Sequence, residues 1–141
     1  MPADSSAVDA AVVAKLAGDS TLLALMTDGV FVDIAGKDDT RFVIVSQASH
    51  FDDYVFDGRV VETFSYLVKA VDRSTSGATV KTAAARIDTL LQDVALTISG
   101  YGHLLTRRSE RVRYTEVDSV DQDIRWQHRG GLYQVVVAPL S

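Results

Sequence analysis

A few groups of residues in this chain have the types and spacing that chemistry requires. The first is Ser74-Thr75-Ser76-Gly77, a run of hydroxyls ahead of a helical pattern, where phosphate-binding loops cradle their ligand. Such a loop needs a glycine followed directly by Lys and then Ser or Thr. Here Lys81-Thr82 follows Val80 and lies well into the helical pattern, so a capped helix start explains the turn better. Gly100-Tyr101-Gly102 lacks the third glycine and the following helix of a dinucleotide fingerprint. Asp118, Asp121 and Asp123 resemble a calcium loop only loosely, because the glycine after the third acid and the closing Glu are absent. His50, His103 and His128 have no paired spacing of the metal-site kind and read as surface or interface histidines. No Gly-x-Ser-x-Gly elbow is present, and with no cysteine the chain has no disulfide, thiolate ligand or thiol nucleophile. We therefore expect no catalytic residue, no cofactor and no bound metal. A structural role is favoured.

The elements that would position these groups follow from periodicity. The chain is organised around residues 59–100, which read strand, serine-rich turn, amphipathic helix, strand. Within residues 77–94, Val80, Ala83, Ala84, Ile87, Leu90, Leu91 and Val94 recur at steps of three and four, the stripe of a helix lying on a core. Ser74, Thr75 or Ser76 is placed to cap it. Ahead of it Phe64, Tyr66, Val68 and Ala70 share one strand face, and residues 96–98 form a short strand behind. Residues 5–17 predict an N-terminal helix with Val8, Ala11, Val12 and Leu16 inward; residues 21–26 predict a second, capped by Asp19 or Ser20. Residues 30–34 and 41–46 read as strands of a hairpin joined by the polar loop 35–40. Residues 101–108 read as a connection or short strand, residues 110–117 as a strand with one wet face, and residues 132–138 as the last strand. Gly130-Gly131 fits either a hairpin turn or a bulge. The expected fold class is α+β: a mostly antiparallel sheet packed by one long amphipathic helix and an N-terminal helix, in a single domain spanning residues 1–141.

Composition excludes several roles. At 141 residues, 47% hydrophobic and 23% charged, the chain can bury a core. A net charge of −5 argues against a sequence-independent grip on the outside of nucleic acid. The first residues lack the basic and apolar regions of a secretory signal, and no apolar run is long enough to span a bilayer. A soluble protein made in a cytoplasm, with no membrane partner, is the expectation.

Two stretches stand out as surfaces. Residues 47–58 mix Phe51, Tyr54 and Phe56 with Asp52, Asp53 and Asp57 at no helical spacing. They are either a connection whose aromatics fold back on the sheet or an arm that packs onto another subunit. Arg107, Arg108, Arg111 and Arg113 are offset by nearby acids, and ion pairing between subunits or plain solvation suits them better than nucleic-acid readout.

The order and wording of several segments resemble the tail-completion, or tail-terminator, proteins of long-tailed phages. The likeness covers nearly the whole chain. It runs through Leu22-Leu23-Ala24-Leu25, Gly29-Val30-Phe31-Val32-Asp33, Arg41-Phe42-Val43-Ile44-Val45-Ser46, Phe64-Ser65-Tyr66-Leu67-Val68-Lys69-Ala70-Val71, Ala83-Ala84-Ala85-Arg86-Ile87-Asp88-Thr89-Leu90-Leu91 and Arg125-Trp126-Gln127-His128-Arg129-Gly130-Gly131. The resemblance implies a homo-oligomeric ring of six subunits at the phage neck in the virion. That ring caps the tail tube protein, meets the head-closure or connector protein and lets DNA pass through its bore without specific binding. It implies no catalytic residues. Phe51, Tyr54, Phe56 and the four arginines are then candidate interface residues, and Asp118, Asp121 and Asp123 candidate bore-lining residues, ahead of Asp52, Asp53 and Asp57. A head-closure or stopper ring of the same neck is the nearest alternative. A small-ligand-binding or hydrolytic α+β domain using the Ser74-Thr75-Ser76-Gly77 turn is the alternative from another class.

Overall fold

The computed structural model describes residues 4–54 and 60–140. Phe56 and Asp57 of the proposed arm lie outside the described residues. Two helices, α1 (Ser6–Ala17) and α2 (Ser20–Leu25), lead into strands β1 (Val30–Val32), β2 (Arg41–Tyr54) and β3 (Val60–Arg73). Helix α3 (Ala78–Leu91) then crosses to β4 (Tyr101–Val117), and β5 (Arg125–Pro139) closes the chain. The five strands form one mixed sheet in the order β1-β2-β3-β5-β4. β5 runs antiparallel between β3 and β4, so those two are parallel, with α3 as their crossover. The α+β class therefore stands. The single dominant helix does not, because α1 has 12 residues against 14 in α3.

All three helices pack on one face of the sheet, where Val8, Val12, Leu16, Leu22, Phe64, Tyr66, Ile87, Leu91 and Tyr133 share a buried core. Most of each predicted stripe is buried, Val80, Ala83, Ile87, Leu90 and Leu91 from α3 and Phe64, Tyr66, Val68 and Ala70 from β3, while Ala84, expected inward, is half-buried beside the β4 rim. On the opposite face Phe42, Ile44 and Val71 form a small cluster under Phe31 and Trp126.

The expected hairpin of residues 30–46 is instead a parallel pair, with Val30 beside Val43 and Val32 beside Val45. Asp28 is the cause. Its Oδ2 accepts from the N–H groups of Thr40 (2.8 Å) and Arg41 (3.0 Å), which clamps the start of β2 beside the start of β1. Gly29 (φ 99°) and Asp33 (φ 64°) supply the left-handed backbone that the reversal needs.

Helix α3 is shorter than the predicted residues 77–94. Asp93 turns left-handed (φ 59°) and its N–H donates to Thr106 O at 2.8 Å, which ends the helix and leaves Val94 beyond it. Residues 96–98 contribute only an isolated bridge from Ile98 to Tyr101, not a strand. The predicted connection at residues 101–108 and the strand after it are one strand, β4, bent by irregularities between His103 and Leu105 and between Arg108 and Glu110. Gly130-Gly131 is neither a turn nor the bulge itself. Both lie inside continuous β5, opposite Lys69 and Val68. A Cβ on Gly130 would stand 2.0 Å from the Val68 carbonyl oxygen, so only glycine lets these strands approach.

Candidate functional site

The bulge at Ser109 decides where the β4 arginines point. Arg108 lies opposite Tyr133, Arg111 opposite Gly131 and Arg113 opposite Arg129. Tyr133 belongs to the helix-side core, so the extra residue brings Arg108, Arg111 and Arg113 onto the face that α3 covers. With Lys81 of α3 and Arg129 of β5 they surround a cavity of about 400 Å³ whose α3 wall is Ala84 and Ala85. Lys81, Arg113 and Arg129 continue into a neighbouring cavity of about 720 Å³ that reaches Gly77 and Ala78 at the start of α3. Together these make one basic groove between α3 and the β4 rim.

Among the described residues its only lining acid is Asp88, which is already engaged. Asp88 Oδ1 accepts from the Tyr133 hydroxyl at 2.9 Å and from Nη1 of Arg108, and burial pushes the Tyr133 hydroxyl well above the usual phenol range. Among the described residues no carboxylate stands within ion-pair distance of Lys81, Arg111, Arg113 or Arg129. Arg113 and Arg129 are direct cross-strand neighbours of like charge, an arrangement that costs stability unless an anion lies between them. Arg107 is apart from this group, bonded to Gln134 on the other face. Sequence reasoning named the arginines of β4 but missed Lys81 and Arg129. The alternation of β5 would have placed Arg129 beside Tyr133 on one face, but the facing register was not legible.

Residues 47–54 are not a folded-back connection. They continue β2 and pair with β3 through Tyr54 opposite Val60, after a register shift between Gln47 and Ser49. Every residue from Gln47 to Tyr54 is exposed, with Phe51 at 48% and Tyr54 at 77%. Phe51 and Asp53 share one face, while His50 and Asp52 share the other with Phe64 and Glu62. The segment is thus an exposed extension of the β2–β3 ladder.

The acidic turn joins β4 to β5. Asp118 is half-buried and committed to the turn: Oδ1 accepts from Val120 N (2.9 Å) and Asp121 N (3.1 Å). These backbone donors, with the Trp126 indole, hold its carboxyl below the usual range. Asp121 accepts from Asp123 N, and both residues are exposed.

The histidines are dispersed, yet His50 gains two acidic neighbours and His128 one, and His128 is buried and not the surface histidine its spacing suggested. His50 Nε2 lies 2.8 Å from Glu62 Oε1 and 3.7 Å from Asp52 Oδ1, with its ring stacked on Phe64. These three offer ligand atoms within 4.8 Å of one another, a grouping that only the β2–β3 pairing creates. His103 Nε2 meets Thr106 Oγ1 at 2.6 Å, and burial lowers its pKa. His128 stacks on Tyr114 and meets Glu116 at 3.1 Å; burial and then the charge of Lys69 lower its pKa. At the serine turn, Ser74 Oγ accepts from Ser76 N and Ser76 Oγ from Ala78 N, which braces the turn, but the N-cap of α3 is Gly77, without a side-chain cap, and not one of the expected hydroxyl residues.

Fold and surface together define a small mixed-sheet α+β protein with a projecting acidic and aromatic arm at one end and a basic groove at the other. No family model matches the chain, and no curated protein matches it. Among solved structures it is similar to a chain of the virion of a native gene transfer agent particle, with TM-score 0.67 and 20% identity over 94% of this chain and 96% of that one. A second solved chain matches with TM-score 0.58 and 15% identity over 94% and 95%. The fold is shared along essentially the whole length of both.

Proposed function

We propose that the chain is a structural virion protein that closes into a homo-oligomeric ring, caps a phage tail tube and joins the tail to the head. The observation that carries this reading is the fold likeness to a chain of a gene transfer agent virion, unbroken by any large insertion on either side. Six subunits, the tail tube protein and a head-closure or connector protein complete the proposed assembly at the neck. The surface supports it in kind: unlike features at opposite ends of one protomer favour a head-to-tail contact, which closes into a ring when its rotation permits. The serine hydroxyls that a hydrolytic reading would use accept from Ser76 N and Ala78 N, where they order the turn.

DNA crosses the bore of such a ring. A duplex carries one negative charge per roughly 1.7 Å of axis, so a basic bore would hold it and slow its passage. We place the exposed acids of the turn, Asp121 and Asp123, toward the bore, with Asp118 fixing the turn that presents them. The deciding experiment is electron microscopy of the purified protein mixed with tail tubes. Rings seated on tube ends support the reading. Rings that ignore tubes and bind only the connector support a stopper of the same neck. A monomer that binds neither overturns both.

A further inference from the structure

Among the described residues the groove's Lys81, Arg111, Arg113 and Arg129 have no carboxylate partner, and the arm exposes acids and the aromatic Phe51. We infer that the groove is the receptor for the arm of a second copy of this chain, with Asp53, on the arm face it shares with Phe51, meeting Arg111, Arg113, Arg129 and Lys81. This rests on the ring reading above and specifies its subunit contact.

Three observations carry it. The first is charge. Among the described residues five cationic side chains line the groove against one carboxylate, and that carboxylate is already bound to Arg108 and Tyr133. Arginine takes carboxylates as bidentate partners, and the Arg113–Arg129 juxtaposition is relieved when one sits between them. The second is shape. A cleft of about 400 Å³ admits a few side chains and not a duplex. Its α3 wall of Ala84 and Ala85 is small and apolar, suited to an aromatic ring, and Phe51 lies on the same arm face as Asp53.

The third is distance. Arm position Asp53 is opposite Val61, whereas groove position Arg129 is opposite Ala70 on the same strand β3. Nine residues of strand separate these points by roughly 30 Å. The arm is hydrogen-bonded into the sheet and cannot fold back over that length. Any arm that fills a groove belongs to another protomer. Arm and groove differ, so the contact is heterologous and propagates from subunit to subunit.

The absence of cysteine makes the test clean. Asp53→Cys protein is mixed with Arg111→Cys, Arg113→Cys or Arg129→Cys protein and oxidised mildly, with Lys37→Cys as a control on an exposed loop. We expect a disulfide-linked dimer with at least one groove variant, at least tenfold more than with the control, and a ladder of higher species when both cysteines are on one chain. In parallel, Asp53→Arg should weaken self-association at least tenfold in native mass spectrometry, and adding Arg111→Asp to it should recover most of that loss. Wild-type melting temperature in each variant establishes that these substitutions, at exposed positions except the half-buried Arg129, leave the fold intact. Wild-type oligomers with no groove disulfide above control overturn the arm contact and leave the ring reading standing. A groove disulfide without any tube-capping ring upholds the contact and overturns the ring. A wild-type protein that stays monomeric at all concentrations, with no disulfide, overturns both.

Discussion

Asp19 grips Arg86 with both carboxylate oxygens, Oδ2 on Nε at 2.8 Å and Oδ1 on Nη2 at 2.7 Å, across a separation of 67 residues. The same Oδ2 accepts from Leu22 N at 2.9 Å and so starts α2. One carboxylate therefore caps a short helix and fastens it to α3. The Arg86 pairing, above all, pulls the Asp19 pKa from 3.8 to about 2. A depressed folded-state pKa means the unfolded chain binds the proton first, so this contribution is complete above about pH 4 and is lost as pH falls toward 2. We expect melting temperature to drop over that window, and Arg86→Ala to lower it at pH 7 while flattening this part of the curve. Thermal melts from pH 2 to 7 check it; an unchanged acid slope in the variant would assign the loss to other carboxylates.

Leu91 is 1% exposed beneath the sheet. Leu91→Ala should cost about 2–5 kcal/mol by removing buried methyl groups and leaving a cavity. Leu91→Asp puts an unpaired charge in the same place and should give insoluble or unfolded protein. Urea denaturation of the alanine variant supplies the number. Wild-type stability in both would mean that α3 presents a different face.

Gly130→Ala should destabilise by about 1–3 kcal/mol or more, because its methyl group meets backbone at Val68 and Lys69 and not the end of a flexible side chain. The comparison is Gly29→Ala, where nothing lies within 4 Å and only the positive φ of 99° is strained. Chemical denaturation of the two variants should rank Gly130→Ala as the worse.

Asp121 and Asp123 replaced together by lysine should leave the ring assembled and slow DNA passage in a reconstituted particle. Asp118→Ala should act differently, loosening the β4–β5 turn by losing the bonds to Val120 N and Asp121 N. Ring loss in the lysine variant, with normal ejection from surviving particles, would move these acids from the bore to a subunit interface.

Purified protein is expected to carry no stoichiometric zinc or calcium, since His50 already hydrogen-bonds Glu62 and the pair is satisfied. Elemental analysis after extensive dialysis measures this. Stoichiometric zinc that disappears in His50→Ala would assign His50, Asp52 and Glu62 as a metal site.

The sequence by itself determined the helices and their inward faces. Val80, Ala83, Ile87, Leu90 and Leu91 recur at a spacing that only a helix brings to one side, and they are the residues that α3 buries. The inward set of β3 was legible for the matching reason, a period of two. The strand partners were not legible, because periodicity carries no information about what lies alongside. The parallel β1–β2 pair depends on one carboxylate, Asp28, reaching residues 12 and 13 positions away. The arm was readable as an odd composition and became a strand only through its register with β3. The groove lay furthest out of reach. A single extra residue at Ser109 turns Arg111 and Arg113 onto the face of Arg108, and strand alternation read straight through would have sent them to opposite sides. Bulges and registers are settled by packing between distant segments, and that is where tertiary structure decides.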